Sequence, residues 1–360
     1  MQEEEIKFET EGLFYNPHMH FCRSFSSLLV GTIEEPLSLL DGFCATGIRG
    51  LRYAKENPNI KQLTFVDLDE KATELSKKNA EENQIEAESY KDEFNSFLSD
   101  KRYDFIEIDP FGSPAPYLYH AIRAFRRTKG GYISFTATDT AVLCGAHPGA
   151  CKRVYHSIPL HDELFHEVGT RILWKFASQI ANEFNFGIKP LATVSHRHFF
   201  KLFFKLEKGS VAALEDFENT GYITLCKSCG YRHAGKVALE LCPKCGKKAT
   251  WAGPLWLGEL HDKATLEKMQ MLNEERNYQH KKQLQKTIEL MQGEINMPPW
   301  FYEIHKTCAR LNIQPPPKTE TLLKNLKEAG FRASKTHFSP IGIKTDADIC
   351  GFAKALDKFA

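Results

Sequence analysis

The chain has 360 residues, 42% of them hydrophobic and 26% charged, an ordinary globular composition long enough for two or three domains around a substantial core. Lys plus Arg number 47 against 46 for Asp plus Glu, so a formal net charge of +1 gives no global pull on nucleic acid, and any such binding has to come from local basic patches. No apolar run approaches the length of a membrane span, and the acidic start Met1-Gln2-Glu3-Glu4-Glu5 resembles no secretory or transit peptide, so the expected address is the cytosol.

An entry segment to about residue 35 carries Phe14-Tyr15-Asn16-Pro17 and Arg23. Pro36 to Leu40 then reads as a strand, Asp41 to Gly50 as a turn marked by Gly42, Gly47 and Gly50, and Ile48 onward as a helix. The next strand, Gln62 to Val66, ends in Asp67-Leu68-Asp69, which puts a carboxylate about twenty residues past the turn, where a ribose diol is normally held. The turn lacks G-x-G-x-x-G, and Arg49 stands at the helix start where a pyrophosphate would need free backbone amides. A cofactor with a ribose, an adenine and an amino-acid tail fits better, namely S-adenosylmethionine, whose carboxylate Arg49 or Arg23 can grip bidentately. For Asp67 the competing reading is a helix N-cap for Glu70 onward. A polar-faced helix spans Lys71 to Asn83, and after a short strand the acid pair Asp92-Glu93 suits either an adenine edge or a solvated loop.

The run Phe105-Ile106-Glu107-Ile108-Asp109-Pro110-Phe111-Gly112-Ser113-Pro114 is the most informative stretch: a short apolar strand delivers Asp-Pro and an aromatic ring to one edge of a sheet. An aromatic NH2 has its lone pair delocalised into the ring. Making it nucleophilic calls for two acceptors on its hydrogens and a clamp on the ring, which Asp109, the Pro110 carbonyl and Phe111 can supply. The bland alternative is a strand ending in a Pro-Gly turn. Tyr117 to Arg127 looks helical, Gly130 to Thr136 is a strand running into Thr138-Asp139-Thr140, a loop with Gly145, Pro148 and Gly149 follows, and Glu163 to Ile180 is a helix. Basic patches are expected at Arg123, Arg126, Arg127 and Lys129, at Lys152 and Arg153, and at His196, Arg197, His198, Lys201 and Lys205. The last group is interleaved with Phe199, Phe200, Phe203 and Phe204, so a half-buried strand is the alternative there.

Near Pro190 the character changes to alternating apolar strands. Ten cysteines without extracellular context argue for metal or thiol roles. Cys226-x-x-Cys229 and Cys242-x-x-Cys245 are two knuckles whose four thiolates suit a closed, structural Zn2+ site, with a redox pair as a distant alternative. Cys22, Cys44, Cys144, Cys151, Cys308 and Cys350 lack ligand spacing. Residues 263 to 293 suggest one long exposed helix. Helices at Tyr302 to Leu311 and Thr319 to Ala329 then precede a hairpin around Pro340-Ile341-Gly342. The expected architecture is α/β: a doubly wound, Rossmann-like sheet in residues 1–187, followed in 188–360 by a smaller α+β domain that presents a surface, with a zinc ribbon inserted at 222–250.

Taken together, Phe14-Tyr15-Asn16-Pro17 with Arg23, Asp41-Gly42 through Ala45-Thr46-Gly47-Ile48-Arg49-Gly50, Asp109 to Pro114 and Thr136 to Thr140 resemble the archaeal-type tRNA (guanine-26 N2) dimethyltransferases. The likeness runs through the cysteines to Ser334-Lys335-Thr336-His337-Phe338 and Gly342-Ile343-Lys344-Thr345, nearly the whole chain. It implies a class I methyltransferase domain and a tRNA-binding C-terminal domain. It also implies that Arg23, Arg49, Asp67 and Asp92 contact S-adenosylmethionine, with Glu93 contributing through its backbone, that Asp109 is catalytic, and that Phe14 and Phe111 sandwich the guanine. No protein partner is indicated. Two rivals stand beside it: an amino-methyltransferase acting on another RNA base, and a zinc-ribbon RNA-binding adaptor whose methyltransferase-like domain is inactive.

Overall fold

The computed structural model describes residues 1–357. Seven segments form one twisted sheet: β1 (Leu37–Gly42), β2 (Ile60–Asp67), β3 (Glu88–Lys91), β4 (Phe105–Ile108), β5 (Gly130–Ala137), β6 (Phe186–His196) and β7 (Phe199–Lys208). Their spatial order is β3-β2-β1-β4-β5-β7-β6, with β7 alone running antiparallel to its neighbours. This is the class I methyltransferase arrangement. The strand order reverses between β1 and β4, and in such sheets ligands settle beyond the carboxyl ends of the strands at that point.

Side-chain alternation divides the core in two. Leu40, Ile106, Ile133 and Phe204 point to one face, beneath the helices Ala115–Ala124 and Phe165–Glu183. Leu39, Phe105 and Phe203 point to the other, beneath His20–Gly31 and Ile48–Glu56. A three-stranded antiparallel sheet (Thr220–Leu225, Arg232–Gly235, Thr250–Trp256) carries the cysteine knuckles. A separate apolar cluster around Tyr302, Leu322, Ile343 and Phe352 forms the C-terminal module.

Several expectations are corrected. The sheet continues to Lys208, so the break expected at 187/188 falls inside β6. The single long exposed helix is two helices, Lys263–Glu275 and Lys281–Glu294. Leu266, Met269, Leu284, Ile288 and Met291 are buried against the first domain's second core, because the intervening Arg276 and Tyr278 turn inward to the Glu56–Asn57 corner. The loop after Asp139 contains the helices Thr140–Leu143 and Pro148–Tyr155. The C-terminal hairpin turns at His337-Phe338, with Pro340 to Gly342 already inside the strand Ser339–Thr345. Five of the six other cysteines are buried, and Cys350 is exposed.

Candidate active site

At the carboxyl ends of β1, β2, β4 and β5 lies a cavity of about 290 Å³, lined in part by the entry segment and bordered by Phe14, Arg23, Phe43, Thr46, Arg49, Asp67, Asp109, Pro110, Phe111 and Thr138. Apolar strands fix its acids in place. Asp41, Glu107 and Ser134 lie in register across β1, β4 and β5, all on the face beneath the helix Ile48–Glu56, and Asp109 follows two residues after Glu107.

These groups form a buried ionic network. Arg49, 5% exposed, pairs with Asp109 and stands 3.9 Å from Glu107. Glu107 in turn accepts from Lys201 and Ser134, and from the Tyr53 hydroxyl at 2.9 Å. Burial pushes the Asp109 carboxyl up, but the Arg49 and Lys201 charges outweigh it and hold the pKa at about 2. Asp41 goes the other way: burial, with the Glu107 charge added, lifts it to about 8, and its carboxyl accepts the Gly50 N–H at 2.9 Å. Lys201 is therefore an internal counter-ion on a strand whose Phe199, Phe200, Phe203 and Phe204 are in the core, while Arg197 and His198 of the patch expected there stay exposed. Sequence inspection missed this network because Glu107 and Lys201 lie 94 residues apart and each reads as an ordinary polar interruption of a strand.

The entry segment is pinned by a group the sequence did not flag. Glu3, 2% exposed, takes Arg23 by a bidentate contact and Arg52 at 2.9 Å; burial raises its carboxyl, yet the two arginines hold it at about 2. Both arginines expected to grip a cofactor carboxylate thus border the cavity already paired, Arg23 with Glu3 and Arg49 with Asp109.

Asp67 accepts from the backbone N–H of Ala45 and of Asp69, each at 3.0 Å, and the N-cap of the helix Glu70–Glu82 is Asp69. Gly42 and Gly47 shape the turn without lining the cavity. A Cβ on Gly42 would meet the Phe94 ring at 2.4 Å, and Gly47 holds a φ of +75° as it starts the helix. Asp92 and Glu93 lie outside the cavity lining: the Asp92 side chain accepts from the Glu93 N–H, and Glu93 caps the short helix Phe94–Phe97. Phe43, Thr46 and Thr138 border the cavity and were not singled out. Of these Thr46 and Thr138 had a sequence signal, their places in the Ala45 to Gly50 and Thr136 to Thr140 motifs.

Phe14 and Phe111 are 58% and 78% exposed, and they meet each other. Their centroids are 4.8 Å apart at 78°, an edge-on contact with no slot between the rings. A planar base entering here has to part them. Around the mouth the basic residues sort by edge. Arg197 and His198 occupy the β6–β7 turn beside the site, Arg197 touching His18 at 3.1 Å, and Lys152 and Arg153 are exposed on the helix Pro148–Tyr155, whose Tyr155 hydroxyl donates to Asp139. Arg126, Arg127 and Lys129 precede the start of β5, at the opposite edge of the sheet.

The sulfurs of Cys226, Cys229, Cys242 and Cys245 all lie within 4.8 Å of one another, with Cys226–Cys245 and Cys229–Cys242 both at 3.6 Å, a cluster able to hold a metal ion. The two knuckles are built alike: Gly230 N–H donates to the Cys226 carbonyl and Gly246 N–H to that of Cys242, each at 2.9 Å.

A family model described as N2,N2-dimethylguanosine tRNA methyltransferase matches residues 1–357. A tRNA (guanine(26)-N(2))-dimethyltransferase of Methanobrevibacter smithii is 36% identical over 94% of this chain and 89% of its own length. The protein of the same name from Pyrococcus abyssi is 37% identical over 96% and 92%. Among solved structures, the complex of Trm1 from Pyrococcus horikoshii with S-adenosyl-L-methionine superposes with a TM-score of 0.90 at 34% identity, covering 99% of both chains.

Proposed function

This chain belongs to the N2,N2-dimethylguanosine tRNA methyltransferase family, and from that premise we propose that it moves methyl groups from S-adenosylmethionine to the exocyclic N2 of guanosine 26 in tRNA, with Asp109 and the Pro110 carbonyl as acceptors for the amino hydrogens. One observation carries the assignment of roles: Asp109, Pro110, Phe111 and Phe14 share a cavity wall with Asp67, Thr46 and Arg49.

The donors around the cavity suit such a cofactor. The Asp67 carboxylate accepts two backbone N–H groups and keeps lone pairs for a ribose diol, and Phe43, stacked on Phe94 at 5.0 Å, offers an apolar wall. Bound there, S-adenosylmethionine supplies an electrophilic methyl group. For its carboxylate the cavity offers Arg23 and Arg49, each of which already holds one acid, Arg23 Glu3 and Arg49 Asp109.

Asp109, held at about 2 by its cations, is a weak base at neutral pH. Its contribution is orientation: a permanently ionised carboxylate fixes one N2 hydrogen while the carbonyl fixes the other, and it takes up a proton only in passing as the product forms. The guanosine has to leave its stack to reach this depth. Stacking against Phe14 and Phe111 offsets part of that cost, at about 1–3 kcal/mol per base, less the smaller cost of parting the two rings. The four cysteines would hold a structural Zn2+: sulfur separations of 3.6 Å match tetrahedral thiolate bonds of about 2.3 Å, and four protein ligands leave no open position. The C-terminal module and the basic residues Lys152, Arg153, Arg197 and His198 form the tRNA-facing surface.

Incubating tRNA with the protein and S-adenosylmethionine, then measuring nucleosides by mass spectrometry, tests the reading. Wild type should yield N2-methylated guanosine at position 26, and Asp109→Ala should lose this by about a hundredfold or more while still binding the cofactor. Near-normal methylation by that variant refutes the role given to Asp109.

A further inference from the structure

A second cavity lies away from the active site. About 740 Å³ of space opens between the second half of the helix Phe165–Glu183 and the knuckle sheet, lined among others by Lys175, Gln179, Asn182, Phe217, Tyr222 and Lys236. Its location follows from the register of the sheet. The active-site end of β5 pairs Ala137 with Phe200, whereas its other end pairs Gly130 with Glu207, next to the helix Ser210–Glu218 that borders this cavity. Eight residues of strand separate the two ends, roughly 25 Å.

Three features here have no structural explanation. Lys175 is 8% exposed, yet no acid pairs with it, and its Nζ bonds only the neutral Gln179, at 2.7 Å. A desolvated cation without a counter-charge is costly, and burial accordingly lowers its pKa. Asn182 Oδ1, one turn of helix beyond Gln179, is buried with no donor. Phe217 is 65% exposed at the rim, with the Lys236 ammonium 5.7 Å from its centroid and paired with Glu218, which also lines the cavity, at 2.8 Å. The same edge of the sheet carries Arg126, Arg127 and Lys129 just before β5, where anionic ligands are favoured.

We infer that this cavity is a second binding site, for a single nucleotide unit whose base points inward. A base edge that sets an acceptor beside an N–H donor would satisfy Lys175 and the Asn182 oxygen together, while Phe217 and Tyr222 flank the ring and the phosphate stays outside, within reach of Lys236 only once that side chain leaves Glu218. The unit can be a free mononucleotide or an unstacked nucleotide of the tRNA, and only the second source rests on the function proposed above.

Calorimetric titration of the full chain with AMP, CMP, GMP and UMP decides the matter, with S-adenosylmethionine present at saturation so that its own adenine pocket is blocked, and with ribose 5-phosphate as the control lacking a base. Saturable binding of at least one mononucleotide, and none of ribose 5-phosphate, is expected. Lys175→Met should weaken it about tenfold and Phe217→Ala, at a rim position that packing does not depend on, about fivefold. S-adenosylmethionine affinity measured alongside reports intact folding. If both variants also lose tRNA affinity, the natural occupant is a tRNA nucleotide; if tRNA affinity holds, it is a free nucleotide. No saturable mononucleotide binding, or binding unchanged in both variants, overturns the inference whatever the tRNA does.

Discussion

At Asp109 two cations, Arg49 and Lys201, set the charge state on which the proposed role depends. With Arg49 in place the carboxyl stays near 2 and is ionised throughout the neutral range. The folded pKa is depressed, so its stabilising contribution is complete above about 4 and fades only as pH falls toward 2. Methyl transfer by the wild type should consequently show no acid limb from this residue above pH of about 4. Arg49→Met removes the nearest cation and leaves only Lys201 and the Thr136 hydrogen bond to oppose burial, so the carboxyl titrates higher and a rate loss appears as pH falls below its new value; a flat profile in both proteins would break the link. Asp41 has the opposite sign. Its folded pKa of about 8 lies above the unfolded value, so stability is full below about 4 and declines as pH rises toward 8. Asp41→Asn, which keeps an acceptor for Gly50 N–H, should lose less melting temperature than wild type between pH 6 and 9, both approximate bounds taken from that titration, as scanning calorimetry would register.

Among the elements, the helix Lys281–Glu294 shows how much of the fold can be read ahead and where reading stops. Its apolar spacing at Leu284, Ile288 and Met291 is plain in the sequence and does face a core. Periodicity cannot say that the chain turns back at Tyr278, since that depends on Glu56 and Asn57 lying more than two hundred residues away. The same limit applied at the site. Strand ends, the Asp-Pro-Phe motif and the cysteine knuckles are local patterns and were legible; the pairing of Glu107 with Lys201 and the anchoring of Arg23 by Glu3 are not local and were not. The helix ends on another such contact. Glu294 accepts from Thr336 and His337, at 2.7 and 2.8 Å, and faces His261 at 3.3 Å. Burial raises its carboxyl, but the histidines keep it well below the usual range. Glu294→Gln should cost about 3 kcal/mol in denaturant unfolding, the scale for removing one member of a buried charged cluster; a loss within error of zero would show the cluster to be ornamental to stability.

Across the whole molecule, carboxylates on one helix and its leading turn join the parts. Glu163 holds Arg232 of the knuckle sheet and Arg310 of the C-terminal module, and Glu167 holds Lys344. Gly230 of the first knuckle packs where Ile349 begins the C-terminal helix. Chelating the metal proposed for Cys226, Cys229, Cys242 and Cys245 should therefore loosen the C-terminal module and weaken tRNA binding, while S-adenosylmethionine binding, on the far side of the sheet's carboxyl edge, holds. Equal losses of both ligands after chelation would place the cysteines nearer the chemistry than this arrangement allows.

The edge-on meeting of Phe14 and Phe111 has a consequence for turnover. Such an aromatic pair is worth about 0.5–1.5 kcal/mol beyond simple contact, and that energy is regained each time the guest departs. The doorway is biased shut, by roughly twofold to twelvefold in population on the same scale. A nucleoside released after one alkylation meets the closed door again, so repeated modification by this chain will favour substrates whose fold keeps the base poised at the threshold.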